Sequence, residues 1–143
     1  KKGNYWAMVA LPADRIPVTA TETDYLAAVV AMERRGEADT ARLAYESVLK
    51  RWPGNLIASV ALGNRHYVLG ALEATERVLR AAYARTPDSV IVLNNLAQVL
   101  SDRGKQQEAL LLIDKASALP GDFADAVRGT RELILQRLAR NKP

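Results

Sequence analysis

Side chains that could do chemistry are few in this 143-residue sequence, and their types point to recognition more than to bond making. There is no cysteine, so there is no thiol nucleophile, disulfide or cysteine-based zinc cluster. The single histidine, His66, cannot build a zinc site without Cys or further His ligands, and no acidic pair flanks it. It reads as a partly packed helix residue. Ser59, Ser89 and Ser101 lie in no nucleophile-elbow motif. The glycines are spaced as helix turns and not as a phosphate-binding loop. What remains is a set of carboxamides, among them Asn64, Asn94 and Gln98. An amide side chain both donates to and accepts from a peptide backbone. Asn is also a poor helix former, so its recurrence in helical sequence asks for a reason. Amides that merely solvate a helix face are the competing reading.

Composition narrows the field further. The chain is 49% hydrophobic and 25% charged, as in an ordinary globular domain, and only 6% aromatic. The net charge is +4, but it is dispersed: Glu33, Glu37, Asp39 and Glu46 interleave with Arg34, Arg35 and Arg42. The densest basic region, Arg128, Arg131, Arg137, Arg140 and Lys142, is interrupted by Glu132. A nucleic-acid surface pairs a basic stripe with exposed aromatics or a motif, and neither is visible, so no nucleic-acid partner is expected. No apolar run is long enough to span a membrane. No cofactor or metal is implied. With neither a signal peptide nor an initiator Met, the chain reads as a piece of a larger protein. Cytoplasm and periplasm suit it equally.

The residues are organised by repetition. Gly36, Gly70 and Gly104 stand 34 residues apart, as do Pro53 and Pro87. A fixed period of that size marks a helical solenoid. The first repeat, 22–55, opens with Thr21 placed to cap a helix carrying Tyr25, Ala28, Val29 and Met32. After Gly36 a second helix carries Ala41, Leu43, Ala44, Tyr45, Val48 and Leu49, stopped by Trp52-Pro53-Gly54. Asn55 can then cap the next helix. The second repeat, 56–89, carries Leu56, Ile57, Val60, Ala61, Tyr67, Val68 and Leu69, then Gly70, then Leu72, Val78, Leu79, Ala82 and Tyr83. The third, 90–121, carries Val90, Ile91, Leu93, Leu96, Val99 and Leu100, then Gly104, then Ala109, Leu112, Ile113 and Ala116. Its closing Pro120 comes one residue early, which predicts a different local turn. The segment 122–143 predicts one capping helix and a tail, with Asp122 as cap and Phe123, Val127, Ile134 and Leu138 as its apolar stripe.

These residues resemble a tetratricopeptide repeat (TPR). Tyr25, Gly36, Ala41, Tyr45 and Pro53 carry the pattern in the first repeat. Leu62, Gly63, Gly70, Ala82 and Pro87 carry it in the second, and Asn95-Leu96-Ala97, Gly104, Ala109, Ala116 and Pro120 in the third. The departures are Thr75, where Ala is usual, and Val29, where Gly or Ala is usual, and they predict looser packing at those points. The resemblance implies an all-α, right-handed superhelix of three helix-turn-helix repeats whose first helices line a concave protein- or peptide-binding groove. Transferred residue by residue, that groove takes Leu26, Val30 and Glu33 from the first repeat. The second gives Ile57, Val60, Asn64 and Tyr67, and the third Ile91, Asn94, Asn95, Gln98 and Ser101. The family's chaperone-tail clamp is not implied, because the matching positions hold Leu26, Val30, Asn95 and Ile91 in place of basic residues.

The first 21 residues differ from the rest. Tyr5 to Leu11 is a short apolar run with aromatic and branched residues, which predicts a strand, and Pro17 predicts that Ile16-Pro17-Val18 is extended. Trp6 to Pro12 followed by Ile16-Pro17 resembles the closing strand of a bacteriocin-processing, papain-like peptidase domain preceding such repeats in bacteria. That resemblance implies a catalytic Cys and His upstream of Lys1, with this chain as docking or regulatory part. An unpaired strand also recruits partners. Tyr5, Trp6, Met8, Val9 and Leu11 are therefore the expected self-association residues, and their exchange between chains would make a homodimer.

Overall fold

The computed structural model describes residues 11–141, all of them helix, turn or loop. Seven α-helices follow a single 3-10 turn at Ala13–Arg15: α1 Glu22–Arg34, α2 Ala38–Arg51, α3 Leu56–Val68, α4 Leu72–Arg85, α5 Val90–Asp102, α6 Gln106–Ser117 and α7 Ala124–Arg140. Tyr5, Trp6, Met8 and Val9 lie outside the described residues. Leu11 is in irregular chain and half-buried. The chain divides into two compact units, one ending at Arg65 and the other beginning at His66.

Turn chemistry recurs through both units. Gly36, Gly70 and Gly104 have φ of 91°, 77° and 82°, the left-handed region that a side chain penalises. Each lets the residue after it reach back across the helix end. Glu37 N–H donates to the Met32 carbonyl at 3.3 Å, Ala71 to His66 at 2.9 Å and Lys105 to Leu100 at 2.8 Å. The next helix then starts two residues after each glycine, and within each unit the helices joined by Gly36 and by Gly104 pack against each other.

In the first unit, Tyr25, Val29 and Met32 recur at helical spacing along α1 and meet Ala41, Ala44, Tyr45 and Val48 of α2, all buried. Val29 is fully buried, so its size loosens nothing at that point. Thr21 caps α1, its hydroxyl accepting from Asp24 N–H at 3.2 Å. Asn55 caps α3, accepting from Ala58 N–H at 2.8 Å. The chain ahead of α1 is clamped on α2. Ile16 is 3% exposed, and its carbonyl accepts from Arg51 Nη1 at 3.2 Å. Ile16 is extended as expected, at φ −65° and ψ 125°. Val18 is not: the Ala20 N–H closes a turn onto the Pro17 carbonyl at 2.9 Å and leaves Val18 in it, 89% exposed.

In the second unit, Leu79 of α4, Leu93, Leu96 and Leu100 of α5, Ile113 of α6 and Ile134 of α7 form one apolar cluster. Thr75 is 1% exposed and its hydroxyl donates to the Ala71 carbonyl at 3.0 Å, so this departure from Ala also packs tightly. The end of α6 differs, as the early Pro120 predicts: α6 has 12 residues where α2 and α4 each have 14. Asp122 does not cap α7. The capping position is Phe123, without a side-chain bond, and Phe123 is 46% exposed. Gly121, at φ 143°, turns the chain so that the helix begins at Ala124, one residue too late for Asp122 to reach it. The buried stripe of α7 is Val127 and Ile134, with Leu138 partly packed; Leu133 is half-buried and Leu135 exposed.

A charged network ties α4 to the turn between α5 and α6. Glu76, 7% exposed, meets Arg80 Nε at 2.8 Å, Arg103 Nη1 at 2.7 Å and Lys105 Nζ at 3.1 Å. Arg80 also meets Glu108 at 2.7 Å. Burial alone would raise the Glu76 carboxyl, but hydrogen bonds from Arg80, Lys105 and Arg103 outweigh it and hold it at about 2, below its ordinary 4.5. Arg103 and Lys105 flank Gly104, so the network fixes the turn that leads from α5 into α6.

Two expected outcomes follow from this packing. Leu96→Ala removes a fully buried side chain from the centre of the second unit and should cost about 2–5 kcal/mol in a denaturant melt. A loss under about 0.5 kcal/mol would contradict the packing. Because the Glu76 carboxyl is held low in the folded state, its contribution is complete above its ordinary value and disappears as pH falls through about 2. The stability gap between the native chain and Glu76→Gln, measured by melts across that window, should therefore close as pH falls from 4.5 to about 2. A gap independent of pH would contradict the network.

Candidate functional site

In the first unit, helical spacing separates two faces of α1. Tyr25, Val29 and Met32 turn toward α2, which leaves Leu26, Ala27, Val30, Ala31 and Arg34 on another side. The start of α3 lies beside that side, because Trp52-Pro53-Gly54 ends α2 and Asn55 restarts the chain as helix at Leu56. Between them is an open groove of about 760 Å³. Leu26, Ala27, Val30, Ala31 and Ile57 supply apolar lining, and the two alanines leave it hollow. Ile57 is 58% exposed, a large apolar side chain left facing solvent. Glu22, Thr23 and Asn55 form one end, where Asn55 Nδ2 donates to Glu22 Oε1 at 2.9 Å. Arg34 and Arg35 form the other.

Three of the residues expected in a ligand groove therefore line one hollow: Leu26, Val30 and Ile57. Glu33 turns elsewhere and accepts from the Tyr45 hydroxyl at 3.0 Å. Burial and the Glu33 charge push the Tyr45 hydroxyl well up, so it stays a donor. Val60 is half-buried and Asn64 exposed on α3.

In the second unit, Ile91, Asn94, Asn95 and Gln98 lie along α5, each half-buried. Asn94 Nδ2 donates to Asn95 Oδ1 at 3.3 Å. Asn94 Oδ1 is buried and accepts no hydrogen bond from a described residue. Tyr67 and Ser101 are committed to internal bonds. The Tyr67 hydroxyl donates to Asp102, and that bond, with burial, raises its pKa and keeps it protonated. Gln98 hydrogen-bonds the same hydroxyl. Ser101 is 3% exposed, donates to Gln106 Oε1 at 2.6 Å and accepts from Arg137 Nη1 at 2.9 Å. Arg137 also pairs with Asp102 at 2.7 Å. This cluster docks α7 on α5. Its only sequence signal is the acid at the end of α5, because its partner lies 35 residues away.

Among the described residues, no three or more His, Cys, Asp or Glu side chains are grouped to hold a metal ion. No helix among them is long and apolar enough to cross a membrane. No family model matches the sequence, and no curated protein matches it. Solved structures do. One of them, described as "MamA RS-1 ArsTM double mutant", superposes with a TM-score of 0.56 at 13% identity, covering 100% of both chains. Likeness at that identity speaks to fold alone. With the repeated turns, it makes the described residues an all-helical, TPR-like repeat. The comparison does not bear out the likeness to a peptidase.

The docking cluster carries an expectation of its own. Tyr67→Phe keeps the ring and removes the hydroxyl's bonds to the Asp102 carboxylate and to Gln98. It should lower stability by about 1.5–3 kcal/mol, the range for hydrogen bonds to charged groups. An unchanged melt would show that Arg137 alone satisfies Asp102.

Proposed function

We propose that this chain is a non-catalytic module that binds protein or peptide segments, as an accessory part of a larger protein. The first helices of its repeats supply the contact residues. The observation that carries this reading is the groove beside α1, where Leu26, Val30 and Ile57 meet in one open apolar hollow. Its volume is that of a ligand-binding cleft. The TPR-like fold supports the same reading, since such folds are typically non-catalytic and offer extended surfaces for partners. On α5, the half-buried Asn94, Asn95 and Gln98 carry amide groups of the kind that pair with an extended backbone.

Asn94 gives the reading a sign that a purely structural residue would not have. Its Oδ1 is buried without a donor among the described residues, and Ala is the better helix former by roughly 0.5 kcal/mol. Asn94→Ala should therefore leave the melting temperature unchanged or raise it. The same change should weaken peptides enriched from a displayed random library by about 1–3 kcal/mol in calorimetry. Failure of the library to enrich any sequence would overturn the binding function. Enriched peptides that bind the Asn64→Ala, Asn94→Ala double variant as tightly as the native chain would remove the amides from it.

A further inference from the structure

We propose that the groove beside α1 selects short apolar segments that carry an acidic side chain at one end. The inference rests on the peptide-binding reading above and adds the chemistry of the occupant. The groove is polarised along its length. Glu22 stands at the start of α1, with its carboxylate held by Asn55, and Arg34 stands at the end. Arg34 is exposed and forms no salt bridge among the described residues. The nearby Glu33 carboxylate is turned to the Tyr45 hydroxyl. Twelve helical steps separate Glu22 from Arg34, about 18 Å at the helical rise. An extended peptide covers that distance in about five or six residues. Apolar side chains of such a segment would lie over Leu26, Val30 and Ile57. Its acidic group would meet Arg34 and avoid Glu22, which would repel it. A segment with a basic group at the Arg34 end is disfavoured by the same charge.

The test uses two synthetic peptides of one apolar sequence, four Leu and Ile residues flanked by Ala, one ending in two Glu and the other in two Lys, with both termini blocked. Binding to the full chain is read by fluorescence anisotropy at low salt. The native chain should prefer the Glu peptide by about threefold or more, and added salt should erase the preference. Arg34→Glu, at an exposed position, should reverse it. Ala27→Trp, at an exposed groove position, should fill the hollow and abolish both interactions. Equal binding of the two peptides, or a preference untouched by Arg34→Glu, would overturn the charge selection while leaving an apolar groove in use. Binding that survives Ala27→Trp would overturn the placement in this groove. No binding of either peptide would overturn this inference alone if library peptides sensitive to Asn94→Ala are found, and the binding function as well if none are.

Discussion

The constraint on which the structure depends is the reversal after each first helix. A helix ends with unpaired carbonyls, and a short connection must satisfy them while turning the chain back. Gly36, Gly70 and Gly104 do both, because only a left-handed residue lets the following N–H reach the carbonyl five positions earlier. No neighbour crowds the place where a side chain would stand at any of the three. The demand for glycine is therefore one of backbone angle and not of space. With the turns at Gly36 and Gly104 set, the apolar faces of the helices flanking each are brought together by chain geometry, and burial supplies the stability.

From that turn the candidate site follows. Fixing α1 against α2 uses Tyr25, Val29 and Met32, and helical geometry then obliges Leu26, Val30 and Arg34 to face another way. The Trp52-Pro53-Gly54-Asn55 stretch lays the start of α3 beside them. The groove is thus a by-product of repeat packing, and its character comes from which residues fill the positions that packing leaves over. In the first unit these are apolar with a cation at one end. Along α5 they are amides. In the second unit, part of the corresponding face is consumed by the fold itself, since Ser101 and Asp102 receive Arg137 of α7.

Local signals were legible in the sequence and long-range ones were not. The turn glycines could be read because a backbone angle restricts residue type at one position. Thr21 and Asn55 could be read as caps because their bonds close within three residues. Asp122 was misread because Gly121 redirects the chain between the expected cap and the helix. Glu76 gave no warning: its partners Arg103 and Lys105 are 27 and 29 residues away, and charges on a helix surface look alike until packing pairs them. Leu26, Val30 and Ile57 were placed by family resemblance, and the structure brings them to one hollow. The same transfer could not see that Ser101 would be buried beneath Arg137.

We propose that the faces left over by repeat packing are the surfaces of contact. The most direct measurement is an amide chemical-shift map of the full chain titrated with an apolar peptide ending in Glu. Perturbed amides are expected along Leu26 to Arg34 and at Ile57. Silence is expected at Leu43 and Leu111, which are open to solvent at 50% and 73% but lie on second helices of their pairs. Perturbations centred on Leu43 or Leu111, with Val30 and Ile57 unmoved, would contradict it.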